Sequence, residues 1–218
     1  MGVVTELVGR RERKKREMRV RLADTAARLF AEHGYDAVSV SDVASAAGVA
    51  DQTLYNYFPT KPDLVLDLAD EMLEHSRRCV AERDASVTPA EALRDLVHHD
   101  IDLFSRADPY LGRGEFPAQS VGSDVLRRYA LAFRHDQTAA IAGAIAETDP
   151  ELTALVALAH AAVLVAVMQC VTDRIGEAIL AGADLAAVAR QLRQDTDVAL
   201  DDASQNFNAT SSRSAAGR

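Results

Sequence analysis

The stretch Ser39-Val40-Ser41-Asp42-Val43-Ala44-Ser45-Ala46-Ala47-Gly48-Val49-Ala50-Asp51-Gln52-Thr53-Leu54-Tyr55-Asn56-Tyr57-Phe58 reads as two short helices joined by a tight turn. Ser39-Val40-Ser41-Asp42 has the S-x-x-D form of a capping-box variant, which opens a helix. That helix is short, because Gly48 follows Val43, Ala44 and Ala47 and tolerates the positive φ a sharp turn demands. Val49 is the apolar anchor of the turn. Asp51 to Phe58 forms the second helix, with Leu54 and Phe58 four apart on one face and Pro59 ending it.

Working outward, a helix from about Arg19 to His33 precedes the pair. Leu22, Ala26, Leu29 and Phe30 give it an apolar face, and Gly34 stops it as a C′ glycine. Thr60-Lys61-Pro62-Asp63 caps a further helix reaching about Ala81. The pair itself meets the demands of a helix-turn-helix. Its first helix packs through the small Ala44 and Ala47, and its second offers Asp51, Gln52, Thr53, Tyr55 and Asn56 as a polar face for base edges. On these residues alone an ordinary helical hairpin is an open alternative.

Residues 19–64 resemble the DNA-binding head of the tetracycline-repressor (TetR) family. The matching runs are Ala27-Arg28-Leu29-Phe30, Gly34-Tyr35, Ser39-Val40-Ser41-Asp42-Val43-Ala44, Ala47-Gly48-Val49, Thr53-Leu54-Tyr55-Asn56-Tyr57-Phe58, then Lys61 and Leu64. They cover about a fifth of the chain. The resemblance implies that Tyr55 and Lys61 grip phosphates, that Thr53 and Ser41 contact phosphate or the groove edge, and that Asp51 and Gln52 read sequence. Gln52 suits adenine and Asp51 suits cytosine N4. Ser39, Asn56 and Tyr57 complete the expected DNA-facing set. One departure is Ala50, where the family has a capping Ser or Thr; its loss costs about 1 kcal/mol locally, offset in part by Asp51 in the first turn. A second is Gln52, in place of the small residue often found there. Both departures bear on the operator sequence.

Charge is distributed as an oriented DNA binder requires. The chain carries a net −9, yet residues 1–63 hold ten basic and nine acidic residues, while 64–218 hold fourteen and twenty-four. Eight basic residues crowd 10–21, and Arg13, Lys14 and Arg16 are candidates to lie along phosphates or enter the minor groove. A solvated basic tail without a partner is the alternative for this segment taken alone.

The remainder reads as helices: Thr88-Pro89 to about Ser105, Ser123 to about Ala146, Asp149-Pro150 to near Gly182, and Asp184 to about Ala203. Ala107 to Gly122, broken by Pro109, Gly112, Gly114 and Pro117, reads as loop with one short helix at most. The expected architecture is all-α: basic arm 1–18, three-helix helix-turn-helix head 19–64, helical ligand-binding and dimerisation body 65–203, and disordered tail 204–218. By the resemblance, the last two long helices form a four-helix interface in a homodimer. Val163, Val167 and Val171, with Leu185, Val188 and Leu192, are candidates for that seam or equally for the core. A single motif makes too little contact for tight operator binding, which independently favours two copies.

Of the six aromatics after residue 64, five fall between 104 and 133: Phe104, Tyr110, Phe116, Tyr129 and Phe133. They are candidates to line an effector cavity, with Gln169, His135, Gln137 and Arg113 as polar anchors; a plain aromatic core is the alternative. The expected partners are thus double-stranded operator DNA, a small apolar or amphipathic effector and a second copy of the chain. Control by a protein partner in place of an effector is the competing reading.

Other classes find less support. Leu152 to Thr172 carries no charged side chain and is long enough to span a bilayer, but it includes His160 and Gln169, is alanine-rich and lacks an aromatic belt. A helix buried on nearly all sides is the expectation, with no membrane, no secretory signal and a cytoplasmic location. Cys79 and Cys170 show no CxxC spacing and read as small core residues. His98-His99 with Asp102 is a weak metal pattern, because adjacent helical side chains point about 100° apart. No nucleophile–base set stands out, so neither an enzyme, a cofactor nor a metal is expected.

Overall fold

A computed structural model describes residues 2–66, 69–106 and 108–216, without the side chains of 2–11, 109, 111, 215 and 216. Every described element is helical: α1 Gly2–His33, α2 Val40–Ala46, α3 Asp51–Tyr55, a single 3-10 turn Pro62–Leu64, α4 Ala69–Ala81, α5 Pro89–Arg106, α6 Pro109–Gly112, α7 Phe116–Gly122, α8 Asp124–Thr148, α9 Ala154–Ala181 and α10 Leu185–Ala216. The expected continuous helix from Asp63 to Ala81 is therefore interrupted, and its residues 67 and 68 lie outside the described residues.

Local chemistry sets most boundaries. Ser123 Oγ accepts the N–H of Leu126 at the start of α8, and Thr153 Oγ1 accepts that of Val156 at the start of α9. Gly182, at φ 64°, ends α9, and the N–H of Ala183 reaches back to Ala178 O at 3.0 Å. Thr88 and Glu91 form a reciprocal cap on α5, and Thr88 also meets Ser204 of α10 at 2.7 Å in the interior.

Two expectations at the termini are corrected. From Gly2 on, the basic arm is part of α1, since its Glu, Lys, Arg and Leu residues favour helix. The tail 204–218, expected to be disordered, carries α10 on to Ala216. Ala203, Ser204 and Phe207 are buried, and the Phe207 ring stands edge-on to His160 with centroids 5.0 Å apart. A lone aromatic in a small, polar stretch thus docks the start of this segment on α9.

In the body, α5 lies along α10, α8 lies between α4 and α9, and α9 also packs on α7 and α10. Head and body do not part at residue 64. Leu22, Phe30, Val43, Leu54, Phe58 and Leu64 share one core with Phe116, Leu126 and Ala130. The segment expected as loop supplies two short helices wedged between head and body. A Cβ on Gly114 would lie 1.7 Å from Ala27 O of α1, and one on Gly176 would lie 2.0 Å from Pro117 O. Glycine is what allows backbone to touch backbone on both sides of the wedge.

Helix α9 also departs from expectation. It is long and apolar enough to cross a membrane, with mean hydropathy 2.3 over its most apolar window, yet only 28% of that window is buried. One face, with Ala157, Ala161, Leu164, Val165 and Ile175, packs in the body. The opposite face leaves Leu155, Leu158, Ala162, Val163, Ala166 and Cys170 exposed.

Candidate nucleic-acid interface and candidate ligand cleft

The turn of the motif forms as its residues dictate. Ser39 Oγ accepts the N–H of Asp42 at 3.1 Å, and Asp42 Oδ2 accepts the N–H of Ser39 at 2.8 Å. The Ser39 hydroxyl, donating to Asp42 Oδ2 at 2.6 Å, and the Ser39 N–H together hold the Asp42 carboxyl below the usual carboxylate range. Gly48 takes φ 68°, and Val49 N–H closes on Ala44 O at 2.9 Å. Val43, Ala44, Leu54 and Phe58 are buried beneath. Ala50 makes no side-chain cap on α3, while Asp51 stands in its first turn.

Above that core the polar face is exposed and internally organised. Ser41 Oγ donates to Asp51 Oδ2, tying α2 to the first turn of α3. Gln52 Nε2 donates to Asn56 Oδ1 at 3.3 Å, one turn on. Asp51, Gln52, Tyr55 and Asn56 are exposed, and Thr53 is half-buried beside them. The structure thus brings together the expected reading set on one surface. Ser39 lies next to it, with its side chain committed to the capping box.

Two members of the set have internal roles. Lys61 Nζ donates to Tyr35 O at 2.6 Å and sits 4.1 Å over the Tyr35 ring. Burial lowers its pKa, opposed by Asp36 and Asp42. One of its three N–H groups is thereby used inside the head. Tyr57 packs against the head core, and its carbonyl accepts from Arg19 at 2.9 Å, whose guanidinium lies 4.7 Å over the Phe58 ring. That contact fixes the end of the motif to α1 and hence to the arm. Arg13, Lys14 and Arg16 are exposed on α1; Arg13 faces Glu17 at 3.7 Å, and Arg16 lines a cleft shared with Asn56 and Pro59.

The aromatic cavity expected in the body is not assembled. Phe116, Tyr129 and Phe133 pack on the head core, Phe104 packs with Val97, Ile101 and Leu192, and exposed Tyr110 donates to Glu32 at 2.7 Å. Gln169 donates to Asp173 on its own helix. The five aromatics follow one another in sequence but face different neighbours, because they are spread over four successive helices, α5 to α8. The space in the body lies elsewhere, in a cleft of about 600 Å3 among α4, α5, α8 and α9, lined by Met72, Ser76, Leu96, Asp100, Gln137 and Met168 with charged residues of α4 at its mouth. Gln137 alone was a candidate from the sequence. The others carry no shared motif, and only packing of four helices brings them together.

The dimer candidates divide likewise. Val171 and Leu192 are buried in the body, Leu185 and Val188 pack on the same cluster, and Val167 packs on its neighbour; only Val163 is exposed, at 50%. The valines four apart follow a helical stripe that drifts, so one stripe crosses from surface to core. Cys170, expected in the core, is exposed, and Cys79 is half-buried with its thiol pushed up by burial. His98 approaches Asp197 at 3.1 Å and Asp102 pairs with Arg193 at 2.6 Å, so the suspected metal pattern serves helix packing of α5 on α10.

Residues 22–68 match the family model described as bacterial regulatory proteins, tetR family. Over 61 residues the chain is 39% identical to the fatty acid metabolism regulator protein of Bacillus subtilis, covering 28% of this chain and 31% of that one. Over 96 residues it is 32% identical to the HTH-type transcriptional repressor LfrR of Mycolicibacterium smegmatis, covering 44% and 48%. The chain thus spans less than half the length of these curated relatives. Among solved structures, SmeT in complex with triclosan superposes with a TM-score of 0.58 at 18% identity, covering 86% of this chain and 90% of that one. FadR of Bacillus subtilis, in complex with stearoyl-CoA, superposes with a TM-score of 0.51 at 19% identity, covering 81% and 96%. Those two likenesses are of fold.

Proposed function

We propose that this chain, whose residues 22–68 match the tetR-family model, is a homodimeric repressor that binds operator DNA in the cytoplasm and lets go when a small apolar or amphipathic effector enters the body. The observation that carries the reading is the exposed surface of Asp51, Gln52, Tyr55 and Asn56 on a rigid motif, with the arm residues Arg13, Lys14 and Arg16 on the contiguous helix. Base edges fall to Gln52 and Asp51, while phosphates fall to Tyr55, Thr53, the arm and the remaining N–H groups of Lys61. The names of the relatives, a metabolism regulator and a repressor, point the same way.

The exposed apolar stripe of α9 supports the homodimer. A membrane span presents apolar surface on all sides, whereas α9 is already packed on one face, so the uncovered stripe suits a second copy of the same helix. The effector reading rests on the cleft bordered by α4. That helix follows the head in sequence, and Tyr129 of α8 donates at 3.1 Å to Asp63, in the 3-10 turn at the end of the head. A ligand that prefers one placement of α4 shifts the spacing of the two heads in the dimer.

Fluorescence anisotropy against the intergenic DNA beside the gene, with scrambled DNA as control and over a salt series, tests the reading. Preferential binding is expected. Gln52→Ala abolishes the preference, while Arg16→Ala weakens all sequences and lowers the salt slope by about one. Equal binding to scrambled DNA at every salt concentration overturns it.

A further inference from the structure

We propose that the cleft among α4, α5, α8 and α9 takes a lipophilic organic cation and rejects polyanionic ligands such as CoA thioesters. The proposal rests on the effector reading above and narrows it to one chemical class. The volume, about 600 Å3, suits a drug-sized molecule. Met72, Leu96 and Met168 supply apolar walls, and two of the three are thioethers that adapt to irregular shapes.

The charged groups of the cleft are predominantly carboxylates, Asp70, Glu71, Glu74 and Asp100 against the one guanidinium of Arg78. Gln137 is 4% exposed, and its Nε2 donates to Ser76 Oγ at 3.1 Å. Ser76 spends its own proton on Met72 O at 2.9 Å, so its oxygen must accept, which fixes the orientation of the amide. Among the described residues nothing donates to Gln137 Oε1, which leaves it an available acceptor on the cleft wall.

Asp100 stands on the same wall, one turn from Leu96. Burial raises its pKa, eased only by His99 and His75, and no lysine or arginine pairs with it among the described residues. Asp70 and Glu71 add charge at the mouth. Glu74 is neutralised by Arg77, with two bonds of 2.8 Å, and Arg78 turns toward His75 at 3.3 Å. An uncompensated carboxylate and a free carbonyl between apolar walls complement a delocalised cation, whereas the phosphates of a CoA ester would meet like charge.

Titration calorimetry with tetraphenylphosphonium and tetraphenylborate, alike in shape and opposite in charge, tests this on the full chain. The phosphonium is expected to bind and the borate not. Asp100→Asn should weaken the phosphonium about tenfold or more, and Glu71→Gln at the exposed mouth should weaken it several-fold without altering the thermal melt. If Asp100→Asn lowers the melt, the Glu71 variant carries the charge readout. Equal binding of both ions, no binding of the phosphonium, preference for stearoyl-CoA, or indifference to both substitutions overturns the proposal. Anisotropy on bound operator separates the two readings. Release by the phosphonium supports both. Charge-selective binding without release supports the cation class and overturns the effector reading. Release by stearoyl-CoA without phosphonium binding does the reverse.

Discussion

Gln119 Oε1 accepts a hydrogen bond from the backbone N–H of Tyr35 at 2.7 Å, joining α7 of the body to the turn that follows α1 of the head. The same amide donates through Nε2 to Phe30 O at 3.1 Å and to Arg113 O at 2.6 Å. One side chain therefore holds the C-terminus of α1, the next turn and its own segment. Ser123 Oγ adds a bond to Asp36 at 2.8 Å, and the bare backbone of Gly114 lies on Ala27. Rotation of the body relative to the head has to break this cluster or carry the head with it.

Replacing that amide gives the first expectation. Gln119→Leu leaves the Tyr35 N–H and Phe30 O without this partner and costs about 1–3 kcal/mol. Gln119→Glu keeps the acceptor and loses the donors, and falls between the two. Urea unfolding measures the stability. Operator affinity with and without ligand measures the coupling, which Gln119→Leu should weaken more than it weakens DNA binding itself.

A second expectation concerns α9. Leu158→Asp or Val163→Asp places a charge on the exposed stripe, away from the core. Each is expected to yield folded monomers by sedimentation, with unchanged helicity and operator affinity lowered tenfold or more. Leu192→Ala, at a buried position of the same pair of helices, is expected to lower stability by about 2–5 kcal/mol and leave the dimer in place.

The third concerns a buried ion pair. The Arg83 side chain is 5% exposed and pairs with Asp149, itself 16% exposed. Arg83 also donates to Val80 O at 2.6 Å, Val87 O at 2.9 Å and Thr148 Oγ1 at 2.7 Å. It thereby fastens the α4–α5 connection to the end of α8. Arg83→Met strands the carboxylate and is expected to cost about 3–5 kcal/mol in urea unfolding, and adding Asp149→Leu should recover part of it.

The fourth is an alkaline loss of stability. Burial pushes the phenols of Tyr35 and Tyr129 up to about 12, with Asp36 and Asp63 adding to the first and Asp63 to the second. The folded chain keeps these protons to higher pH than the unfolded chain, whose tyrosines ionise near about 10. The stabilisation is complete below about pH 10 and is lost as pH rises toward 12. Urea midpoints from pH 8 to 11.5 should fall more steeply for the natural chain than for Tyr35→Phe or Tyr129→Phe. An unchanged slope in both variants would contradict this.

The head was legible in sequence because its determinants are local. Ser39 and Asp42 cap a helix three residues apart, Gly48 provides the left-handed turn, and Leu54 and Phe58 share one face by period alone. The all-helical body followed from the same periodicity, with its boundaries near Thr88, Ser123 and Gly182 marked by caps. What the sequence determined by itself was this set of helices and the polar face of one of them. Tertiary structure decided the rest. Whether Val171 or Val163 is interior depends on which neighbours α9 meets, and the five clustered aromatics were dispersed because packing follows the direction of each helix and not adjacency in sequence. Phe207 shows the same limit from the other side, since it and Ser204 are buried in a segment whose composition is that of a loose tail. Of the cleft residues only Gln137 was a candidate from the sequence, because which side chains line that space, and which of them lack a partner, is decided only by how four helices pack together.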